Sequence, residues 1–78
     1  MIFRETELSG AYVIQPERIE DERGFFARLF DEDEFTDRGL EKTFVQWSIS
    51  HNEREGTLRG MHFQSSPHDE VKLVRVTN

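Results

Sequence analysis

Apolar and polar positions change rhythm twice along this chain, and each rhythm predicts a different element. Ala11–Pro16 (AYVIQP) is a short β-type run, closed by a proline that cannot donate to a ladder. The charged stretch 17–22 reads as a loop with its turn at Arg23 and Gly24, after which Phe25–Phe30 (FFARLF) resumes as strand. Asp31 stands where a helix cap belongs, acids follow it at the positive end of the helix dipole, and Gly39 is a stop signal. A short helix from Glu32 to Arg38 is therefore expected. From Thr43 the period becomes two: Val45, Trp47 and Ile49 face one way, Phe44, Gln46, Ser48 and Ser50 the other. His51–Gly56 then reads as a turn, Thr57–Gln64 as the returning strand, Ser65–Asp69 as a second turn and Val71–Thr77 as a further strand.

About five strands at short spacing predict an all-β antiparallel fold with one short helix. The last of them runs almost to the end of the sequence without a cap, so the sheet would keep an open edge. Self-association or a missing C-terminal part is expected to complete it. No repeat, low-complexity tract or linker-like segment interrupts the 78 residues, which read as one continuous module, 1–78.

Composition narrows the function classes. A chain of 78 residues that is 35% hydrophobic and 33% charged has material for one small core. With no cysteine there is neither a disulfide staple nor a Cys-based zinc site, which fits a reducing compartment, and the cytoplasm is the expected location. No run of about 18 apolar residues exists and the first residues lack a signal-peptide pattern, so no membrane span or membrane partner is expected. The net charge of -6 argues against nucleic acid, because a polyanion needs excess Lys and Arg to displace its counterions. A small anionic ligand suits the chain better. Eight of the ten bases are arginine, the side chain that grips phosphate with two parallel hydrogen bonds.

The densest polar constellation is Gly56–Gln64 (GTLRGMHFQ), which sets an Arg, a His and a Gln among glycines and apolar residues. Taken with Asp21–Phe26 (DERGFF) and Lys72–Val76 (KLVRV), in that order and at those separations, it resembles the N-terminal part of the dTDP-4-dehydrorhamnose 3,5-epimerase family. The resemblance runs through nearly the whole chain, and the agreement of three motifs makes it specific. It implies a cupin-like jelly roll of antiparallel strands, of which this chain would be half a barrel. It also implies a dimer exchanging N-terminal strands, a nucleotide-sugar substrate, and no metal or organic cofactor.

The reaction so implied is proton abstraction beside the C4 ketone of dTDP-4-keto-6-deoxyglucose, in rhamnose-like deoxysugar biosynthesis for cell-wall polysaccharide. His62 matches the family base, a role that suits imidazole because its ordinary pKa of about 6.5 lets it accept and return a proton near neutral pH. Lys72 matches the lysine near the carbonyl oxygen, where a fixed cation stabilises the charge of a forming enolate. Arg23 and Arg59 match arginines that hold substrate, with the diphosphate as the anion, and Gln46 matches a glutamine of the same pocket.

Departures from the family pattern are equally readable. Arg28 stands where many members carry glutamate, and Ser48 where many carry asparagine, so recognition of the base is expected to differ. The family's opposite-face tyrosine and the aspartate paired with the base fall beyond this sequence, whose one tyrosine, Tyr12, lies in another motif. Epimerisation by this chain alone is not expected. The alternative is a noncatalytic cupin module that self-associates and at most binds a nucleotide sugar.

A metal cupin would draw its ligands from His51, His62, His68 and Glu70. Such sites use a close His-x-His pair on one strand face, whereas His62-x-Gln64 offers an amide at the second place, and no metal is expected. Strict alternation puts Arg59 and His62 on opposite faces of their strand. Either a bulge at Gly60 rotates one of them, or the two serve different subunits or different parts of the ligand. The seven phenylalanines are expected mainly in the core, since a β module this small has few other bulky residues.

Overall fold

A computed structural model describes residues 1–77 and divides the chain into two compact units, Met1–Phe44 and Val45–Asn78. The first holds four strands, β1 (Ile2–Glu5), β2 (Tyr12–Gln15), β3 (Arg18–Asp21) and β4 (Gly24–Ala27), followed by one helix, α1 (Glu32–Asp37). The strands form two separate antiparallel pairs, β1 with β2 and β3 with β4. Strand thus outweighs helix, as the alternation predicts.

The β1–β2 hairpin has Ile2 opposite Gln15 and Glu5 opposite Tyr12. Thr6 closes its loop: the hydroxyl donates to the Ala11 carbonyl at 2.9 Å, and the same oxygen accepts the Leu8 N–H at 3.2 Å. The chain turns back at Gly10, whose φ of 83° lies in the region glycine enters without a steric cost. Residues Ile2–Glu5 are a strand that the alternation did not single out, because the run is four residues long and carries charge at half its positions.

The stretch 17–22, expected as a loop, is mostly strand. Ile19 lies opposite Phe26 and Asp21 opposite Gly24, leaving Glu22 and Arg23 as a two-residue turn. All four residues of β3 are exposed, so its charged side chains keep their water while the backbone gains a ladder. Hydropathy alone misreads such a strand, since pairing requires only a suitable partner and a tight turn.

Helix α1 agrees closely with its signals. The Asp31 carboxylate accepts the Glu34 N–H at 3.1 Å, and Glu32, Asp33 and Glu34 fill the first turn. At the other end Gly39, with φ 71°, donates to the Thr36 carbonyl at 2.9 Å, while Leu40 N–H reaches back to Phe35 O at 2.9 Å. This paired closure satisfies the last carbonyls and needs a left-handed residue at the glycine. The helix carries the core: Phe35 is the one buried hydrophobic residue among those described. Its ring meets Phe3 and Phe30 edge to face, with centroids 5.7 and 4.7 Å away, and Phe44 extends the cluster from Phe30 at 5.9 Å.

The second unit corrects three expectations. The stretches 43–50, 57–64 and 71–77 carry the period-two pattern but form no strand among the described residues. What local order there is comes from turns: Thr57 N–H and hydroxyl both donate to the Arg54 carbonyl, and His68 N–H donates to Ser65 O at 2.8 Å. The apolar row stands in solvent, with Val45 at 89% and Ile49 at 91% of full exposure. A strand pattern states which face will be buried and leaves open what it will be buried against. No two of these stretches hydrogen-bond as a ladder, so the proposed bulge at Gly60 has no strand to interrupt. Gly60 nonetheless adopts a φ of 117°, a conformation suited to glycine.

Candidate active site

Arg23 occupies the second position of the β3–β4 turn. Its own N–H and its guanidinium both donate to the Asp21 carboxylate, at 2.8 and 2.7 Å. Side-chain donation from Arg23, backed by its N–H, holds the Asp21 carboxyl below the ordinary carboxylate range. The guanidinium is 86% exposed, so an incoming anion would meet it without displacing any packed group, competing only with Asp21.

The other four candidates lie in the second unit. Gln46 is exposed. Arg59 reaches back over the preceding turn, its Nε donating to Asn52 Oδ1 and its Nη2 to the His51 carbonyl at 3.3 Å. These bonds use one edge of a planar five-donor group and leave the other edge for a ligand.

His62 and Lys72 are brought together. Lys72 Nζ donates to the main-chain carbonyl of His62 at 3.1 Å, across ten residues of sequence. The same ammonium lies 3.2 Å from Glu70 Oε1. An ammonium has three N–H donors; one goes to the His62 carbonyl, and Glu70 balances the charge as an ion pair. The bond is to the His62 main chain, so it ties the cation to the segment that carries the imidazole; proton abstraction next to a carbonyl requires a group to take the proton and a charge to stabilise the oxygen that becomes negative.

Three residues that hold the candidates in place were not found by sequence reasoning: Asp21, Asn52 and Glu70. For two of them a signal existed. Asp21 and Glu70 each sit two residues before the cation they pair with, within reach of a long basic side chain. Asn52 pairs with Arg59 across a turn and leaves no such trace.

The positions that depart from the family pattern are also placed. Arg28 Nη1 lies 3.6 Å from the Asp31 carboxylate, beside the helix cap, and Ser48 is exposed. Among the described residues no group of three or more His, Cys, Asp or Glu side chains converges as a metal cage. His51 instead lies 3.5 Å from Glu53, and His68 closes the turn after Pro67. Among the described residues no helix is long and apolar enough to cross a membrane. A concavity of about 400 Å³ in the first unit is lined by Met1, Glu17, Arg18, Ile19, Phe26 and Arg28. It contains none of the five candidate residues.

Comparison with known proteins agrees with the motifs. The profile of a family described as dTDP-4-dehydrorhamnose 3,5-epimerase matches residues 5–78. A protein of that name from Methanothermobacter thermautotrophicus is 49% identical over 74 residues, covering 95% of this chain and 39% of its own length. Another from Sinorhizobium fredii is 35% identical over 77 residues, covering 99% of this chain and 40% of its own, and one from Shigella flexneri is 38% identical over 71, covering 90% and 39%. The chain therefore spans about two fifths of the length of these relatives. No solved structure matches it.

Proposed function

The chain belongs to the dTDP-4-dehydrorhamnose 3,5-epimerase family, and on that premise we propose that it carries the N-terminal share of a nucleotide-sugar epimerase active site. The substrate in this reading is dTDP-4-keto-6-deoxyglucose, on the route to a rhamnose-like deoxysugar. His62 removes the proton from the carbon next to the C4 ketone, and the C–H electron pair moves into an enolate whose charge rests on the carbonyl oxygen. Lys72 stabilises that oxygen through an ammonium N–H. Return of a proton to the opposite face inverts the carbon, and the donor for that step belongs to chain outside these 78 residues. Arg23 and Arg59 hold the diphosphate, and Gln46 lines the same pocket. The fold in this reading is half of a cupin-like jelly roll in a cytoplasmic dimer that exchanges N-terminal strands.

The observation that supports the reading is the hydrogen bond from Lys72 Nζ to the His62 main-chain carbonyl at 3.1 Å, which links the segments that carry the two residues. The test is deuterium wash-in from D2O at C3 or C5 of the keto-sugar. Exchange in the wild-type chain that falls about 10²-fold or more in His62→Ala is the expected result, the usual scale for losing a general base. Exchange unchanged in His62→Ala would remove His62 from the mechanism.

A second reading is favoured by one observation: Leu58, Met61 and Phe63 stand 84–99% exposed around His62. An apolar stretch so open is unfinished packing, and a noncatalytic module that self-associates would cover it. Under that reading the chain forms an oligomer and binds nucleotide sugar at most, with no exchange at either carbon.

A further inference from the structure

We propose that Asn52 is a positioning residue for Arg59, fixing its guanidinium with the His51 carbonyl so that one edge and the full charge remain for a diphosphate; the inference rests on the reading of Arg59 given above. The arrangement begins in the turn between the two residues. Thr57 closes that turn, its N–H and hydroxyl donating to the Arg54 carbonyl at 3.3 and 2.7 Å. The chain so reversed brings Arg59 back to Asn52, seven residues earlier.

Arg59 Nε donates to Asn52 Oδ1, and Nη2 donates to the His51 carbonyl at 3.3 Å. Both donors lie on one edge of a rigid planar group, so two bonds along that edge set the direction of the next. Nη1 and the second N–H of Nη2 are then left as a fork, the geometry that takes two oxygens of a phosphate at once. Arg59 is exposed, which leaves this fork open to a ligand.

The kind of acceptor matters as much as its place. Glu53 and Glu55 belong to the same turn, yet Arg59 forms no ion pair among the described residues, and Glu53 lies 3.5 Å from His51 instead. An amide oxygen and a main-chain carbonyl are neutral, so they hold the guanidinium without cancelling its charge. Arg23 stands in contrast, because the Asp21 carboxylate anchors and neutralises it together. Two substitutions at Asn52 separate geometry from charge. Asn52→Ala removes the acceptor. Asn52→Asp keeps an oxygen at the same reach and adds a negative charge that competes with the ligand.

Arg54 supplies an internal reference, since its guanidinium has no hydrogen bond or ion pair among the described residues. Proton–nitrogen NMR of the Nε–H groups reads their exchange with solvent. In the wild-type chain and in Asn52→Asp, Arg59 Nε–H is expected to exchange about 5-fold more slowly than Arg54 Nε–H, the scale of one net hydrogen bond. In Asn52→Ala the two should exchange alike. Titration with inorganic pyrophosphate gives the second readout: affinity should fall about 3-fold in Asn52→Ala and further in Asn52→Asp, where the anchor survives and the charge does not. Equal exchange of the two Nε–H groups in the wild-type chain, or pyrophosphate affinity unchanged in either variant, overturns the proposal. Absence of pyrophosphate binding by the wild-type chain would instead defeat the reading of Arg59 as a diphosphate ligand, while the exchange ratio would still decide whether Asn52 holds it.

Discussion

Met1–Phe44 and Val45–Asn78 share the same alternating chemistry but reach different degrees of order. In the first region every element finds its partner close by in sequence: a six-residue loop joins β1 to β2, a two-residue turn joins β3 to β4, and the helix closes on its own caps. Phe3, Phe30, Phe35 and Phe44 then converge from both ends of that stretch into one aromatic cluster. The second region has apolar rows as regular as any in the first and no ladder to place them on. Local closure decides the outcome, because the entropy of ordering a strand is offset only when a partner strand or a packed face accompanies it. The proposed catalytic pair lies in the region that lacks such a partner.

Substitution at the core should break the comparison most severely. Phe35→Ala removes the one fully buried side chain of the first region, and a loss of about 4 kcal/mol is expected from large-to-small replacement of a buried phenylalanine. Helical circular dichroism followed through urea unfolding measures it. Equivalent truncation of Val45 or Ile49 should leave the unfolding curve unmoved, since neither is covered.

Lys72→Ala acts on the other region alone. Wash-in of deuterium should fall about 10²-fold, the scale for removing one stabilising donor from a developing oxyanion, with the unfolding curve of Met1–Phe44 unchanged. An equal loss of exchange and of helix signal would mean that the two regions are not separable in this way.

The helix cap gives a smaller, pH-dependent effect. The Glu34 N–H, followed by the Asp33 N–H and the nearby Arg28, holds the Asp31 carboxyl below its ordinary value in the folded chain. A carboxyl whose folded pKa is depressed stabilises the fold above its unfolded pKa of about 3.9, and that stabilisation is lost as pH falls through the folded value. Acid titration of the 222 nm signal should therefore show loss of helix below about pH 4. Asn caps as well as Asp does, so Asp31→Asn should keep the helix at neutral pH and flatten the acid limb, whereas Asp31→Ala should weaken the helix at both ends of the titration. Smaller still, Arg28→Ala should leave helix content at neutral pH unaltered, since the Asp31 carboxylate is held chiefly by backbone N–H groups.

What the sequence revealed follows the same division. The helix expected from Glu32 to Arg38 was legible to within one residue, ending at Asp37, because its caps are local chemistry written in single side chains. β2 was legible from Tyr12, Val13 and Ile14 before Pro16. β1 and β3 were not, being short, charged and exposed, and defined by the strands opposite them. The strands expected at 43–50, 57–64 and 71–77 show the converse: their alternation describes a buried face, and burial depends on groups that these stretches do not supply to one another. At the candidate site, His62 and Lys72 were read from motifs, while their meeting through a main-chain carbonyl required coordinates.

The central claim is that a self-contained N-terminal region is joined to a region that carries four of the candidate residues and, among the described residues, no ladder of its own. Amide hydrogen exchange of the chain at neutral pH, resolved by residue, tests it most directly. Protection is expected on the paired amides of β1–β4 and on Phe35, Arg38, Gly39 and Leu40 of the helix closure, with exchange close to the unprotected rate across 45–50, 57–64 and 71–77. Strong protection alternating along those three stretches would contradict the account, because it would mean that they already form a sheet.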